Sequence, residues 1–145
     1  MWIDQEEVIR MIRVNSVAYK HVLSHEWERA HHLREFRAGQ LTREDVCDAD
    51  FLLRAAAEHH GRTMDKECPV CGEPLRLTRW VYGENLGRRA GSARSEKEIA
   101  EFVAEGLEFT VHEVEVCRQC RWNHLLRSAT AVSYTHLTLP TTPYV

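Results

Sequence analysis

Apolar residues recur at near-helical spacing through the first part of the chain. Val8, Ile12, Tyr19, Leu23, Trp27, Ala30 and Leu33 are mostly three or four residues apart, with charges between them, as on an amphipathic helix. The spacing predicts helix over residues 3–37, with a weak point at Asn15-Ser16 and a stop at Gly39. Trp27 and Phe36 are expected to pack against the rest of the domain. A second helical segment begins at residues 41–46, with Thr42 as N-cap and Asp45 in the capping-box position. A third is expected over residues 49–60, capped by Asp48 and stopped by Gly61.

Beyond the third helix the period changes from helical to alternating. Leu75, Leu77, Arg79 and Val81 alternate with Arg76, Thr78, Trp80 and Tyr82, as in a half-buried strand. Residues 83–94 hold three glycines and three arginines and read as a flexible, solvated loop. Arg88, Arg89 and Arg94 would there be open to a phosphate or an acidic partner, without effect on stability. Ser95 and Glu98 form a capping box for a short helix with Ile99, Phe102 and Val103 on one side, ended by Gly106. In residues 107–116, Leu107, Phe109 and Val111 share one parity, and Val114 and Val116 the other. That switch predicts a bulge near His112-Glu113, or a strand buried on both faces. A third strand is expected over residues 121–131.

Four cysteines in two identical spacings change the picture: Cys68-Pro69-Val70-Cys71 and Cys117-Arg118-Gln119-Cys120. Two Cys-x-x-Cys turns can complete a tetrahedral sulfur cage, which suits Zn²⁺. Iron in the same cage and a redox or disulfide pair are the alternatives. With all four positions filled by cysteine, no ligand position is left for water, so one structural zinc per chain is expected rather than a catalytic one. Lys66, Arg118 and Arg121 lie within two residues of ligands and would offset the cage's negative charge. Cys47 has no cysteine at chelating distance in sequence and reads as a small buried hydrophobe. His31-His32 and His59-His60 are adjacent pairs. On a helix such neighbours point about 100° apart, so solvated or half-buried histidines are expected, not a second metal site.

The fold class is therefore α+β: N-terminal helices in residues 1–62, then a zinc-ribbon-like antiparallel β module in residues 63–131 with an inserted loop and short helix. Val46-Cys47-Asp48-Ala49, the first cysteine turn, residues 81–87, and Val114-Glu115-Val116-Cys117 through Trp122-Asn123-His124-Leu125 together resemble a small actinobacterial zinc-ribbon family, a domain of unknown function. The resemblance spans about residues 30–130. It implies fold and metal and supplies no activity. The family pattern has Gly where this chain has Arg121. Residues 132–145 carry no charge. Written back into codons, Val132 through Thr141 resembles a transposase adapter used in sequencing libraries. This tail, with Tyr134 and His136, is expected to be translated adapter rather than native sequence.

Composition narrows the function. The formal charge is −3 and the pI about 6.3, which argues against strong, unspecific nucleic-acid binding. No apolar run approaches the roughly 20 residues that span a bilayer, and no secretion core is visible. Unbridged, metal-spaced cysteines fit a reducing interior, so a cytoplasmic location and no membrane partner are expected. No phosphate-binding glycine motif is present. The leading expectation is a non-enzymatic structural-zinc protein, a protein-interaction or regulatory module. The alternative is a transcription-associated, nucleic-acid-binding zinc ribbon using Arg76, Arg79, Arg88, Arg89, Arg94, Arg118, Arg121 and Arg127. An enzyme would have to use His124, which has no nucleophile or carboxylate partner in sequence. Trp122 and His124 are expected to be a packing pair.

Overall fold

The structure, a computed structural model, describes residues 17–133. The helix expected at residues 3–16 and the tail from Tyr134 onward lie outside the described residues. In chain order the elements are β1 (Val17–Ser24), α1 (Glu26–Arg37), α2 (Arg43–Val46), α3 (Phe51–His59), β2 (Arg62–Glu67) and β3 (Pro74–Tyr82). A 3-10 segment (Glu84–Arg89), β4 (Ser92–Ala93), α4 (Glu96–Ala104), β5 (Phe109–Val116) and β6 (Asn123–Ser133) follow. The six strands form one sheet of order β1-β6-β5-β3-β2, with β4 also paired to β3 and every pairing antiparallel.

Alternation in β3 assigns the two faces. Register Leu77↔Glu115, Arg79↔Glu113 and Val81↔Val111 puts the leucine and valine positions of β3 on one face with their β5 partners. Two helices cover that face, one at each end. Ile99, Phe102 and Val103 of α4 bury Val81, Phe109, Val111 and Ala131. Leu33 of α1 packs with Val46, Leu75 and Trp122 at the other end. Between them Arg79 is held by Glu113 at 2.9 Å and by Glu96 of α4 at 3.0 Å. On the opposite face, Ala57 of α3 and Ala49 pack on Val116, and Arg76 donates to the Ala57 and Gly61 carbonyls.

Both capping boxes form as the sequence predicts. Thr42 accepts from the Asp45 amide while Asp45 accepts from the Thr42 amide, and Ser95 and Glu98 do the same for α4. The cap of α3 differs. Asp50, not Asp48, accepts from the Leu53 amide at 2.8 Å, so the helix starts two residues later than expected.

The described chain opens with a strand where residues 17–24 were expected to be helical. β1 pairs with β6 through Val17↔Ser133 and Ala18↔Val132, with a register shift between Lys20 and Leu23. Positive-φ His21 lies in that shift. The bulge inserts one residue into the strand and breaks its alternation, while Tyr19 and Leu23, four apart in sequence, also fit a helical period. Trp27 is 75% exposed and stacks on His31, against the expectation that it packs inward; Phe36 does pack inward. Val132 is buried in β6, so the boundary set at residue 132 falls two residues inside the sheet.

The predicted bulge is present opposite β5 rather than within it. Pairing shifts between Glu113↔Arg127 and Val114↔Leu125, which leaves Leu126 of β6 as the extra residue. Its carbonyl takes the His25 amide at 2.8 Å and so fixes the entry to α1.

Residues 83–94 are ordered rather than a free loop. The 3-10 segment turns at Gly87 (φ 60°), and β4 pairs Trp80↔Ala93 and Val81↔Ser92. Arg89 lies 4.6 Å and Arg94 5.2 Å from the Phe102 ring centroid, and each pairs with a glutamate of the α4 region, Glu105 and Glu98. These two arginines cap the α4 core. An Arg89→Ala/Arg94→Ala double variant should therefore lose about 1–2 kcal/mol of stability, and Arg88→Ala no more than about 0.5 kcal/mol. Urea denaturation midpoints of the two variants check this.

Candidate metal centre

Two hairpins bring the thiols together. The first cysteine turn joins β2 to β3 and the second joins β5 to β6; because β3 pairs with β5, both turns fall at the same end of the sheet. They share one backbone design. The Cys68 amide donates to the Glu73 carbonyl at 2.7 Å and the Gly72 amide to the Cys68 carbonyl at 3.0 Å. In the second turn the Cys117 amide donates to the Trp122 carbonyl at 2.8 Å, and the Arg121 amide to the Cys117 carbonyl at 3.0 Å. The Val70 and Cys120 amides point at the Cys68 and Cys117 sulfurs, each at 3.4 Å. The equivalent fourth residues, Gly72 and Arg121, take φ of 83° and 77°. Glycine adopts that conformation freely, while another L-residue is strained there by roughly 1–2 kcal/mol.

The sulfurs of Cys68, Cys71, Cys117 and Cys120 all lie within 4.8 Å of one another. Cys71 and Cys117 are 3.4 Å apart, and Cys68 and Cys120 3.6 Å. A zinc tetrahedron with Zn–S bonds of about 2.3 Å has edges of about 3.8 Å, whereas a disulfide needs about 2.05 Å. The donor set fits a tetrahedral ion, and all five cysteines are free thiols.

Charge in the cage points the same way. Burial pushes the Cys117 thiol up, but the Cys120 amide, the Cys71 thiol and the Gln119 amide outweigh it, so Cys117 lies below the ordinary thiol range. Cys68 and Cys120 are pushed up, in both cases first by burial. For Cys120 the sulfurs of Cys68, Cys117 and Cys47 add to the rise. One thiolate, Cys117, forms readily, and Cys68 and Cys120 resist further negative charge until a cation shares it.

A second set of contacts surrounds the cage. Three consecutive residues between α2 and α3 bind three positions of the second turn. The Cys47 thiol donates to Cys120 Sγ at 3.7 Å, Asp48 accepts from Asn123 Nδ2 at 2.8 Å, and the Ala49 amide donates to the Arg121 carbonyl at 3.0 Å. Trp122 is fully buried and donates Nε1–H to Glu115 Oε2 at 2.7 Å; Arg29 of α1 donates to the same oxygen at 2.7 Å. Trp122 and His124 stack with centroids 6.1 Å apart, and His32 packs 5.8 Å from His124.

All four sequence-predicted ligands converge. Arg118 does not serve the cage as expected, because it pairs with Glu58 of α3. Among the described residues no histidine joins a metal-spaced group. Sequence reasoning missed Cys47, Glu115 and Arg29. The one available signal was Glu115 itself, a carboxylate between two valines in a strand that leads into a ligand.

Two substitutions check this geometry by chemical denaturation. Arg121→Gly should raise stability by about 1 kcal/mol by relieving the left-handed conformation. Glu115→Ala should cost about 3–5 kcal/mol, since it leaves the Trp122 N–H and the Arg29 guanidinium without their buried acceptor.

The chain is 45% identical over 97 residues, 66% of its length, to "Uncharacterized protein Rv0049" of Mycobacterium tuberculosis (strain ATCC 25618 / H37Rv), of which 71% is covered. "Uncharacterized protein Mb0050" of Mycobacterium bovis matches with the same identity and the same coverage of both chains. No solved structure matches. Residues 16–137 match the family described as "Family of unknown function (DUF5318)", and the chain belongs to that family.

Proposed function

We propose that Cys68, Cys71, Cys117 and Cys120 bind one zinc ion in a closed structural site, and that the chain is a non-enzymatic module that binds a protein partner. The convergence of four thiols from two like-built hairpin turns carries the metal reading. Paired knuckles at one end of an antiparallel sheet support the reading of a zinc ribbon with residues 83–106 inserted. The ion would neutralise the cage and cross-link the two hairpins, and four cysteine ligands leave it no open position. Thiols kept unbridged suit a reducing compartment such as the cytoplasm. No helix among the described residues is long and apolar enough to cross a membrane.

The partner surface is proposed on the face that carries α3. Phe51 and Leu52 of α3 are 73% and 71% exposed. Leu52, Trp80, Tyr82, His112 and Leu125 line a groove of about 420 Å³ between the helix and the sheet. Aromatic anchors beside a shallow apolar groove suit an apolar segment of another protein.

A nucleic-acid reading has less support. Arg79, Arg89, Arg94, Arg118 and Arg127 pair with glutamates, and Arg76 is spent on Thr63 and backbone carbonyls. Six of the eight arginines on which that reading relies are thus already engaged, which weakens their claim on phosphates.

Metal analysis of the purified chain should find one zinc per chain. Cys117→Ser should remove a ligand and lose most of the cooperative unfolding transition, a destabilisation on the order of 10 kcal/mol of lost metal-binding energy. Protein free of zinc and iron that still unfolds cooperatively overturns the metal reading. Phe51→Asp/Leu52→Asp should keep its zinc and lose captured partners; an unchanged set of captured proteins overturns the surface assignment.

A further inference from the structure

We propose that Cys47 is a resolving thiol for the metal centre: when a hydroperoxide oxidises Cys120, Cys47 closes a disulfide with it. The proposal rests on the metal reading for its consequence, loss of a ligand, and on the sulfur geometry for its chemistry.

Cys47 Sγ stands 3.7 Å from Cys120 Sγ, as close as the cage sulfurs stand to one another, yet it belongs to neither cysteine turn. It sits just past α2, with its amide bonded to the Arg43 carbonyl at 2.8 Å. The two residues after it are tied to the same turn that carries Cys120, through Asp48–Asn123 and Ala49–Arg121. The thiol is thus held against Cys120 across 73 positions of sequence. Bonding needs only about 2 Å of further approach.

Exposure separates the roles. Cys120 is half-buried, whereas Cys47, Cys68 and Cys117 are buried. A small peroxide meets Cys120 before it meets Cys47. Cys71 is also half-buried, but its close neighbour is Cys117, another cage sulfur. Of the five sulfurs, Cys47 alone is uncommitted to the cage and free to act as a nucleophile.

The step balances with the hydroperoxide as the only oxidant. The Cys120 sulfur attacks the O–O bond, forming a sulfenic acid, and the thiol proton leaves on the departing oxygen as water or the corresponding alcohol. The Cys47 sulfur then attacks the Cys120 sulfur; the S–O bond breaks, and the hydroxyl leaves as water with the Cys47 proton. Two electrons pass from the sulfur pair to the peroxide. Three cage thiols remain, one short of a closed tetrahedron, and the α2–α3 connection is covalently joined to the second turn. Thiol reductants reverse the disulfide, whereas a Cys120 without a resolving partner can proceed to sulfinic acid, which they do not reverse.

The test treats the full chain, as purified, with graded hydrogen peroxide. Zinc is measured beforehand, release is followed with a chromophoric chelator, and cross-links are mapped on unreduced peptides. The expected result is a dominant Cys47–Cys120 cross-link, rising in step with zinc release and reversed by dithiothreitol. Cys47→Ser should bind zinc normally, lack the cross-link, and after the same treatment recover several-fold less zinc-binding capacity on reduction, with Cys120 found as sulfinic acid. A dominant cross-link between two of the four cage cysteines overturns the proposal, as does equal recovery in Cys47→Ser. Protein free of metal at the outset defeats the metal reading alone, because the cross-link map still decides the role of Cys47. If Cys47→Ser does not fold, the map on the unsubstituted chain decides by itself.

Discussion

Four sulfur atoms within 4.8 Å of one another impose a constraint that the surrounding structure is arranged to meet. Bringing them together requires β3 and β5 to pair in a single register, since each strand begins or ends at a cysteine turn. That register in turn sets Leu77 against Glu115 and Arg79 against Glu113, and so determines where the buried charges fall. The amides at Val70 and Cys120 aim at sulfur only because the turns close through Gly72 and Arg121 in left-handed backbone. Backbone, sheet and charge all converge on the cage.

The face beneath α1 and α4 is an unusual mixture for a core. Apolar clusters occupy its two ends, and carboxylate–guanidinium pairs occupy the stretch between them. Glu113 holds both Arg79 and Arg127, and Glu115 holds Arg29 together with the Trp122 indole. Pairs of this kind contribute little net stability when compared with apolar replacements, but removing one member is costly. They therefore act as locators: α1 can settle over the sheet only where Arg29 meets Glu115.

Much of this was legible in the residues. The cysteine spacings named the cage, and Thr42 and Ser95 located two helix starts, because each signal is local and has a fixed offset. The parity switch in β5 located a bulge, though the extra residue belongs to the neighbouring strand, which a one-strand pattern cannot resolve. The opening strand was illegible for the same reason in reverse. Its bulge at His21 breaks the alternation, so the segment shows no unbroken period of two to set against the helical one. Cys47 was set aside because its partner lies 73 residues away, and no local rule reaches that far. Arg89 and Arg94 looked like loop cations because nothing in their neighbourhood announces that Phe102 will face them. Cys120, Arg121 and Asn123 on one side and Cys47-Asp48-Ala49 on the other gain a physical explanation as the two sides of one seam.

The pairing of β1 with β6 joins the earliest described strand to the latest. During synthesis on the ribosome β1 emerges first, and its partner is complete only when residue 133 has appeared. In the interval Val22 and Leu23 have no sheet to join, and the strand's amides and carbonyls are open to any other extended segment. Contacts this distant in sequence slow folding, because the loop between them must close before they contribute. From the appearance of β1 until that of β6 the growing chain thus carries an unpaired strand, an interval in which a holding chaperone or the proximity of another nascent chain would matter more than the stability of the finished sheet.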